Sequence, residues 1–438
     1  TKIPGTGYQR VLVLSLGKKE EITVERLRRV MHKIVAYAKV CKLESFSTNV
    51  LMLVDALGKF APKDLGSAVA EGAVLSSYSF KKYLSPDPTV KEKELKEGSF
   101  LWFKDKSVVE EGIVRGQIIA QATNVARDLV NEPAMVMTPQ QLHRVAETIA
   151  EDRRVRLRVL EKAELEEKKF GALLGVSRGS DLPPKLIILE YTGSEDGPVV
   201  ALVGKGITFD TGGYNLKPTG SMETMKEDMS GAAAVIATIK VAAALGLKKK
   251  IVAVAPVCEN AISSSAIKPG DILTAYNKKT IEVTNTDAEG RLILADALSY
   301  VEEKYSPEII IDIATLTGAC QVALGSHVAG VISTNKELRD ALVRAGDESY
   351  DCVWPLPLPE EYKESMKGTI TDLKNTAVPG HGAGAITAAV FLNNFVQNAK
   401  WAHIDIAGPA FLTEGRDYLQ KGATGAGVRL LTYYLMQS

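Results

Sequence analysis

Cysteine is scarce: the 438 residues hold four, Cys41, Cys258, Cys320 and Cys352, scattered and with no C-x-x-C pair. That spacing excludes a disulfide framework and a thiolate zinc site and fits a reducing, cytoplasmic compartment. Net charge is also missing. Lys plus Arg and Asp plus Glu stand at 53 each, which leaves no global field to gather nucleic acid or anionic lipid. No apolar run reaches the roughly 18 residues of a membrane span. The longest, A-A-A-V-I-A-T-I-K-V-A-A-A-L-G-L from Ala232, is broken by Lys240 and reads as a buried helix of a soluble domain, so no membrane partner is expected. The first residues show no cationic leader followed by an apolar segment and cleavage site. The lack of an initiator Met points to trimming and leaves open a targeting segment removed before Thr1. H-E-x-x-H and G-x-x-x-x-G-K-[ST] are absent, and no solenoid repeat or low-complexity tract is visible.

What is present is ordinary globular composition, 45% hydrophobic and 24% charged, in a chain long enough for two domains. Residues 1–107 alternate strand-like runs, R-V-L-V-L-S-L and N-V-L-M-L-V-D, with helical ones, and read as a small N-terminal α/β domain. A Pro- and Lys-rich stretch near Ser85 to Glu97 precedes a periodic segment over 108–130, read as a linker helix. From 131 to 438, apolar strands (K-L-I-I-L-E-Y, V-V-A-L-V-G, I-V-A-V-A-P-V, I-I-I-D-I-A-T-L-T, A-H-I-D-I-A-G) alternate with helices. Near-continuous apolar strands separated by helices imply an α/β catalytic domain with a largely parallel central sheet covered on both faces.

Three charged clusters interrupt that pattern. N-T-D-A-E-G-R-L-I-L, from Asn285, sets Asp287, Glu289 and Arg291 at alternate positions between a β-branched stretch, K-K-T-I-E-V-T-N-T, and a helix. V-G-K-G-I-T-F-D-T-G-G-Y-N-L-K-P places Lys205 at a strand end, with Asp210 and Lys217 in a Gly-rich loop whose G-x-G is not completed by x-x-G. M-K-E-D-M-S-G-A-A puts Asp228 ahead of the Ala-rich helix, where a helix-start acid is the plain alternative. Each cluster lies next to strands of what reads as one sheet. Four carboxylates brought together repel unless cations lie between them, and two divalent ions would form a two-metal hydrolytic site. The histidines His32, His143, His327, His381 and His403 fall outside the clusters, so the ligands would be oxygens, with a lysine amine also available.

Together the clusters closely resemble the leucine aminopeptidase family, dinuclear-metal cytosolic aminopeptidases, from N-E-P-A-M-V-M-T-P to A-T-G-A-G-V-R-L-L; the N-terminal part is similar only in kind. The resemblance implies that Lys205, Asp210, Asp228 and Glu289 bind a tighter metal. Asp210, Asp287 and Glu289 bind a more exchangeable one, so Asp210 and Glu289 bridge. It implies Zn²⁺, with Mn²⁺, Co²⁺ or Mg²⁺ at the exchangeable site. Lys217 would polarise the scissile carbonyl, and Arg291 would hold a bicarbonate that carries the proton. Lys217 and Asp228 would also meet substrate, while Met225, Thr315, Gly318 and Ala407, with Ala410 nearby, would line an uncharged pocket suited to Leu, Met and other apolar residues. The implied substrates are peptides with a free N-terminus, and the implied assembly is a homohexamer.

Elementary chemistry agrees with these roles. A lysine ligates metal only as a neutral amine, which from a pKa of ~10.4 costs about 4 to 5 kcal/mol at pH 7 unless a dication compensates. Lys217 must stay cationic to face an oxyanion and is expected farther from the metals. Arginine cannot serve as a base, so Arg291 makes chemical sense as the holder of an anion that can. Two alternatives remain at this stage: a two-metal phosphoesterase, which would want phosphate-facing basic residues, and an additional DNA-binding or regulatory role, which neutral net charge disfavours.

Overall fold

The computed structural model describes residues 10–85, 94–102, 104, 106–377 and 382–437. The chain divides into two compact units, Thr1–Asn124 with Glu414–Lys421, and Val125–Thr413 with Gly422–Ser438. The division falls inside the helix Lys106–Asn131.

In the N-terminal unit, helices Val24–Val40 and Pro62–Ser77 close over Leu27, Met31, Leu51, Leu65 and Val69, all at 1% exposure or less. Two short parallel strands, Ser45–Thr48 and Glu97–Phe100, complete the α/β character. Both strand expectations in its first residues are corrected. Residues 49–55 do not form a strand but contain the helix Val50–Asp55, which buries Val50, Leu51 and Val54, the i, i+1, i+4 spacing of a helical face. Residues 10–16 lack regular structure; Leu14 and Leu16 pack on the core, but Val13 is 87% exposed.

The larger unit is built on a nine-stranded sheet. Across it run Val353–Pro355, Ala329–Ser333, Lys400–Asp405, Ile309–Ala314, Val199–Gly204, Lys250–Asn260, Lys185–Thr192 and Val155–Leu160, with Gly206–Asp210 paired beside the end of Lys250–Asn260. The centre is parallel: Ile309–Ala314 pairs in that sense with Lys400–Asp405 and Val199–Gly204, which in turn pairs with Lys250–Asn260. Lys185–Thr192 runs antiparallel to both its neighbours, and Ala329–Ser333 to Lys400–Asp405. Helices Ser230–Leu245 and Gly290–Tyr305 both pack on the central strands. Val200 and Leu202 are buried as fully as Ala201 and Val203, so both faces are covered, as the unbroken apolar runs require. The stretch Met225–Leu245 is long and apolar enough to span a membrane by composition, yet 83% of its most apolar window is buried inside the fold.

One local expectation changes. The β-branched run before Asp287 forms only the short strand Thr280–Glu282, and it pairs with Ile272–Thr274 and Leu373–Lys374 in a separate three-stranded sheet. Asp287 and Glu289 therefore do not leave a strand of the main sheet.

Candidate active site

Val199–Gly204 and Ile309–Ala314 are parallel neighbours, and Gly206–Asp210 continues the first of them along Lys250–Asn260. Val199–Gly204 delivers Lys205, Gly206–Asp210 delivers Asp210, and Ile309–Ala314 delivers Thr315. The carboxyl ends of parallel strands are the usual binding edge of an α/β sheet. Gly212, at φ 86°, turns the chain there, and its N–H donates to Asp210 Oδ1 at 2.8 Å. On the far side, Glu289 directly precedes the helix Gly290–Tyr305. Any side chain at Gly290 would put a Cβ 2.4 Å from Lys205 Cε, so glycine is what lets Lys205 pass under that helix.

The acids meet as their clustering suggests. Ligand oxygens of Asp210, Asp287 and Glu289 lie within 4.8 Å of one another. Lys205 Nζ donates to Asp228 Oδ1 at 2.6 Å and to the Thr315 carbonyl at 3.0 Å, and lies 3.0 Å from Glu289 Oε1. Lys217 Nζ sits 2.8 Å from Asp210 Oδ2 and 2.6 Å from Asp287 Oδ1. That is closer than expected for a lysine standing apart from the metal-binding acids; two facing carboxylates draw the ammonium between them. Asn260 Nδ2 donates to Asp210 Oδ1 at 2.8 Å and to the Thr286 carbonyl at 3.1 Å.

Burial sets the electrostatics. It pushes the carboxyls of Asp228, Glu289 and Asp287 above the ordinary range, and the charge of Asp210 adds to each. Burial alone would lower the two lysines; Asp228, Glu289 and Asp210 outweigh it at Lys205, and Asp210 with Asp287 at Lys217, so both are held above the usual lysine value. Asp228 Oδ2 is buried with no hydrogen-bond partner. A set of hard carboxylate oxygens with one buried oxygen left over fits divalent cations of the Mg²⁺, Mn²⁺ or Zn²⁺ kind.

Arg291 lies in the first turn of the helix after Glu289 and is buried. Its Nη1 donates to the Asn375 carbonyl at 2.8 Å, while Nε has no partner among the described residues. Burial lowers the guanidinium to about 10, against the pull of Glu289 and Asp405, so it remains a cation at neutral pH.

Residues 124–432 match the catalytic domain of the cytosol aminopeptidase family, and residues 1–87 match the N-terminal domain of the same family. This chain belongs to the cytosol aminopeptidase family. A probable cytosol aminopeptidase of Alkaliphilus oremlandii is 41% identical over 98% of this chain and 85% of the relative, and one of Geobacter sp. strain M21 is 43% identical over the same shares. Among solved structures, the bottromycin maturation enzyme BotP in complex with Mn superposes with a TM-score of 0.87 at 33% identity, over 95% of this chain and 88% of that one. Membership makes the chain a metal-dependent hydrolase of peptide N-termini.

Around this acid cluster, the residues expected to form a side-chain pocket are placed unevenly. Thr315 is part of the acid cluster itself, its hydroxyl donating to Asp228 Oδ1 at 2.8 Å. Met225 and Ala407 are partly exposed, Gly318 is exposed at the start of helix Gly318–Leu324, and Ala410 is buried. The Ala407 N–H donates to Asp405 Oδ1 at 3.1 Å, and Asp405 Oδ2 accepts from Thr317 Oγ1 at 2.7 Å, which ties the two loops together. Of the histidines, His403 is fully buried with Nδ1 2.6 Å from Asp312 Oδ1, His32 meets Ser76, His143 lies between Glu147 and Glu161, and His381 lies outside the described residues. Asn260, Asp405 and Asn375 escaped sequence reasoning: asparagine carries no charge to flag it, and Asp405 reads as one more residue of an apolar strand.

Proposed function

We propose that this chain is a dinuclear metallo-aminopeptidase that releases an N-terminal leucine or another apolar residue from peptides. The observation that carries the reading is the convergence of Asp210, Asp287 and Glu289 within 4.8 Å, with Asp228 and Lys205 joined to them. Lys205, Asp210, Asp228 and Glu289 would hold one ion, and Asp210, Asp287 and Glu289 the other. When bound, such a pair supplies Lewis-acid polarisation and lowers the pKa of water, and it registers a free α-amine. Zn²⁺ and Mn²⁺ are the leading candidates, the latter supported by the Mn complex of BotP.

The chain's own residues do the rest. Asp228 and Glu289 hold Lys205 protonated, and the lysine would join the ligands of a metal only as the neutral amine. Lys217, held cationic by Asp210 and Asp287, would face the carbonyl oxygen as charge develops on it. Arg291, whose Nε has no partner among the described residues, would hold a bicarbonate, which would supply the base. Met225, Thr315, Gly318 and Ala407 border the space for the first side chain. Family resemblance further supports a homohexamer, and the relatives' names support a cytosolic location.

The test is a panel of aminoacyl fluorogenic substrates on chelated protein with Zn²⁺, Mn²⁺, Co²⁺ or Mg²⁺ added back, each paired with its N-acetylated form. Activity should return only with metal, be greatest on Leu and Met, and vanish on blocked substrates, whose amide nitrogen is a poor ligand. Equal cleavage of free and acetylated substrates would show endopeptidase action and overturn the reading.

A further inference from the structure

Asn375 is fully buried and lies directly after the strand Leu373–Lys374, which pairs in parallel with Thr280–Glu282. Its amide spends every polar atom on one loop. Oδ1 accepts from the Thr284 N–H at 2.8 Å, the Thr284 hydroxyl at 3.1 Å and the Asn285 N–H at 3.3 Å. Nδ2 donates to the Asn285 carbonyl at 2.6 Å and the Ala288 carbonyl at 3.4 Å. The bonded backbone groups bracket Asp287 on both sides. From the opposite side, Asn215 Oδ1 accepts from the Thr286 N–H at 2.9 Å, and Thr286 Oγ1 donates to the Gly212 carbonyl at 2.6 Å. The loop is thus gripped between two asparagines.

Asp287 needs this grip more than the other acids do. Asp210 ends a strand and is held by the Gly212 N–H and Asn260, and Glu289 stands at a helix start with its carboxylate 3.0 Å from Lys205 Nζ. Asp287 has neither anchor, and its side chain is 33% exposed. We infer that Asn375 is the positioning residue that sets Asp287 against Asp210 and Glu289, and so governs the exchangeable ion and not the tighter one. The inference rests on the dinuclear reading above. The Asn375 carbonyl that receives Arg291 belongs to the backbone, so side-chain variants leave that bond its acceptor.

The test is Mn²⁺ titration of the full chain by calorimetry, with free Mn²⁺ counted by electron paramagnetic resonance. Partners that orient metal ligands are worth roughly 10- to 100-fold in affinity. Asn375→Ala should therefore weaken the second ion at least ~10-fold and leave the first unchanged. Asn375→Asp keeps the three bonds to Oδ1 and loses the two from Nδ2; it should also weaken the second ion, although its added negative charge alone would tighten it. If the alanine variant does not fold, the aspartate variant decides. Unchanged binding of both ions, or equal weakening of both, overturns the inference. A wild type that binds only one ion refutes the dinuclear reading and the inference with it, whereas two ions with Asn375→Ala unchanged refute the inference alone.

Discussion

Lys217 Nζ lies between Asp210 and Asp287, 2.8 Å from the first and 2.6 Å from the second. The charges of Asp210 and Glu289 both act on Lys205 and Asp228, and the Asp210 side chain is buried where that of Asp287 is a third exposed, so the acids are not equivalent. Asp210→Ala or Glu289→Ala should lose both metals and reduce activity to background. Asp287→Ala should keep one tight ion and need added metal for residual turnover. Elemental analysis after gel filtration checks this, and two tightly held ions in Asp210→Ala would refute the bridging assignment.

Arg291 gives a separable prediction. If it holds bicarbonate, Arg291→Ala should leave metal content unchanged and lower kcat by up to ~10²- to 10⁴-fold, the usual worth of base assistance. Carbonate-free wild type should slow and recover on adding bicarbonate, with little response in the variant. A residue that merely balances Glu289 would change metal affinity and show no bicarbonate effect in either protein.

Asp296 is fully buried and bonds only to backbone: Oδ2 accepts from the Ala172 and Leu173 N–H groups at 3.0 and 2.9 Å, and Oδ1 from the Tyr276 N–H at 2.7 Å. An asparagine in its place would turn an NH₂ toward an N–H donor, and an alanine would leave all three donors unpaired. Asp296→Ala should cost about 3 kcal/mol or more, seen as a lower Tm, and Asp296→Asn somewhat less. Metal content at low temperature should stay that of wild type.

His403 links stability to pH. Burial pulls the imidazole down, but Asp312 at 2.6 Å outweighs it and the net shift is upward. A raised folded pKa means the protonated ring favours the fold. The contribution is complete below the unfolded value of ~6.5 and is lost as pH rises through the folded value. Tm should therefore fall more steeply above neutrality in wild type than in His403→Gln; parallel Tm profiles would contradict this.

The central strands were legible because burial on both faces leaves an unbroken apolar signature, and the acids because charge beside such strands is conspicuous. Strand direction was not: Lys185–Thr192 is as apolar as its parallel neighbours, yet runs antiparallel. Val50–Asp55 was missed because a short apolar run fits a strand or a buried helix face equally well. Within the site, Asn375 reaches Asn285 across 90 residues of chain, and an uncharged amide in an ordinary loop gives no sign of the bonds that folding will ask of it.

The segment Glu414–Lys421 belongs to the N-terminal unit although the chain on both sides of it belongs to the other. Within that unit the Tyr418 hydroxyl donates to Glu25 Oε2 at 3.0 Å, across 393 positions. On a ribosome adding roughly 5 to 20 residues per second, Glu25 waits about 20 to 80 s for that partner. Most of this unit is made before the other, yet it stays incomplete until residue 421, and a nascent chain stalled before residue 414 would carry it unfinished.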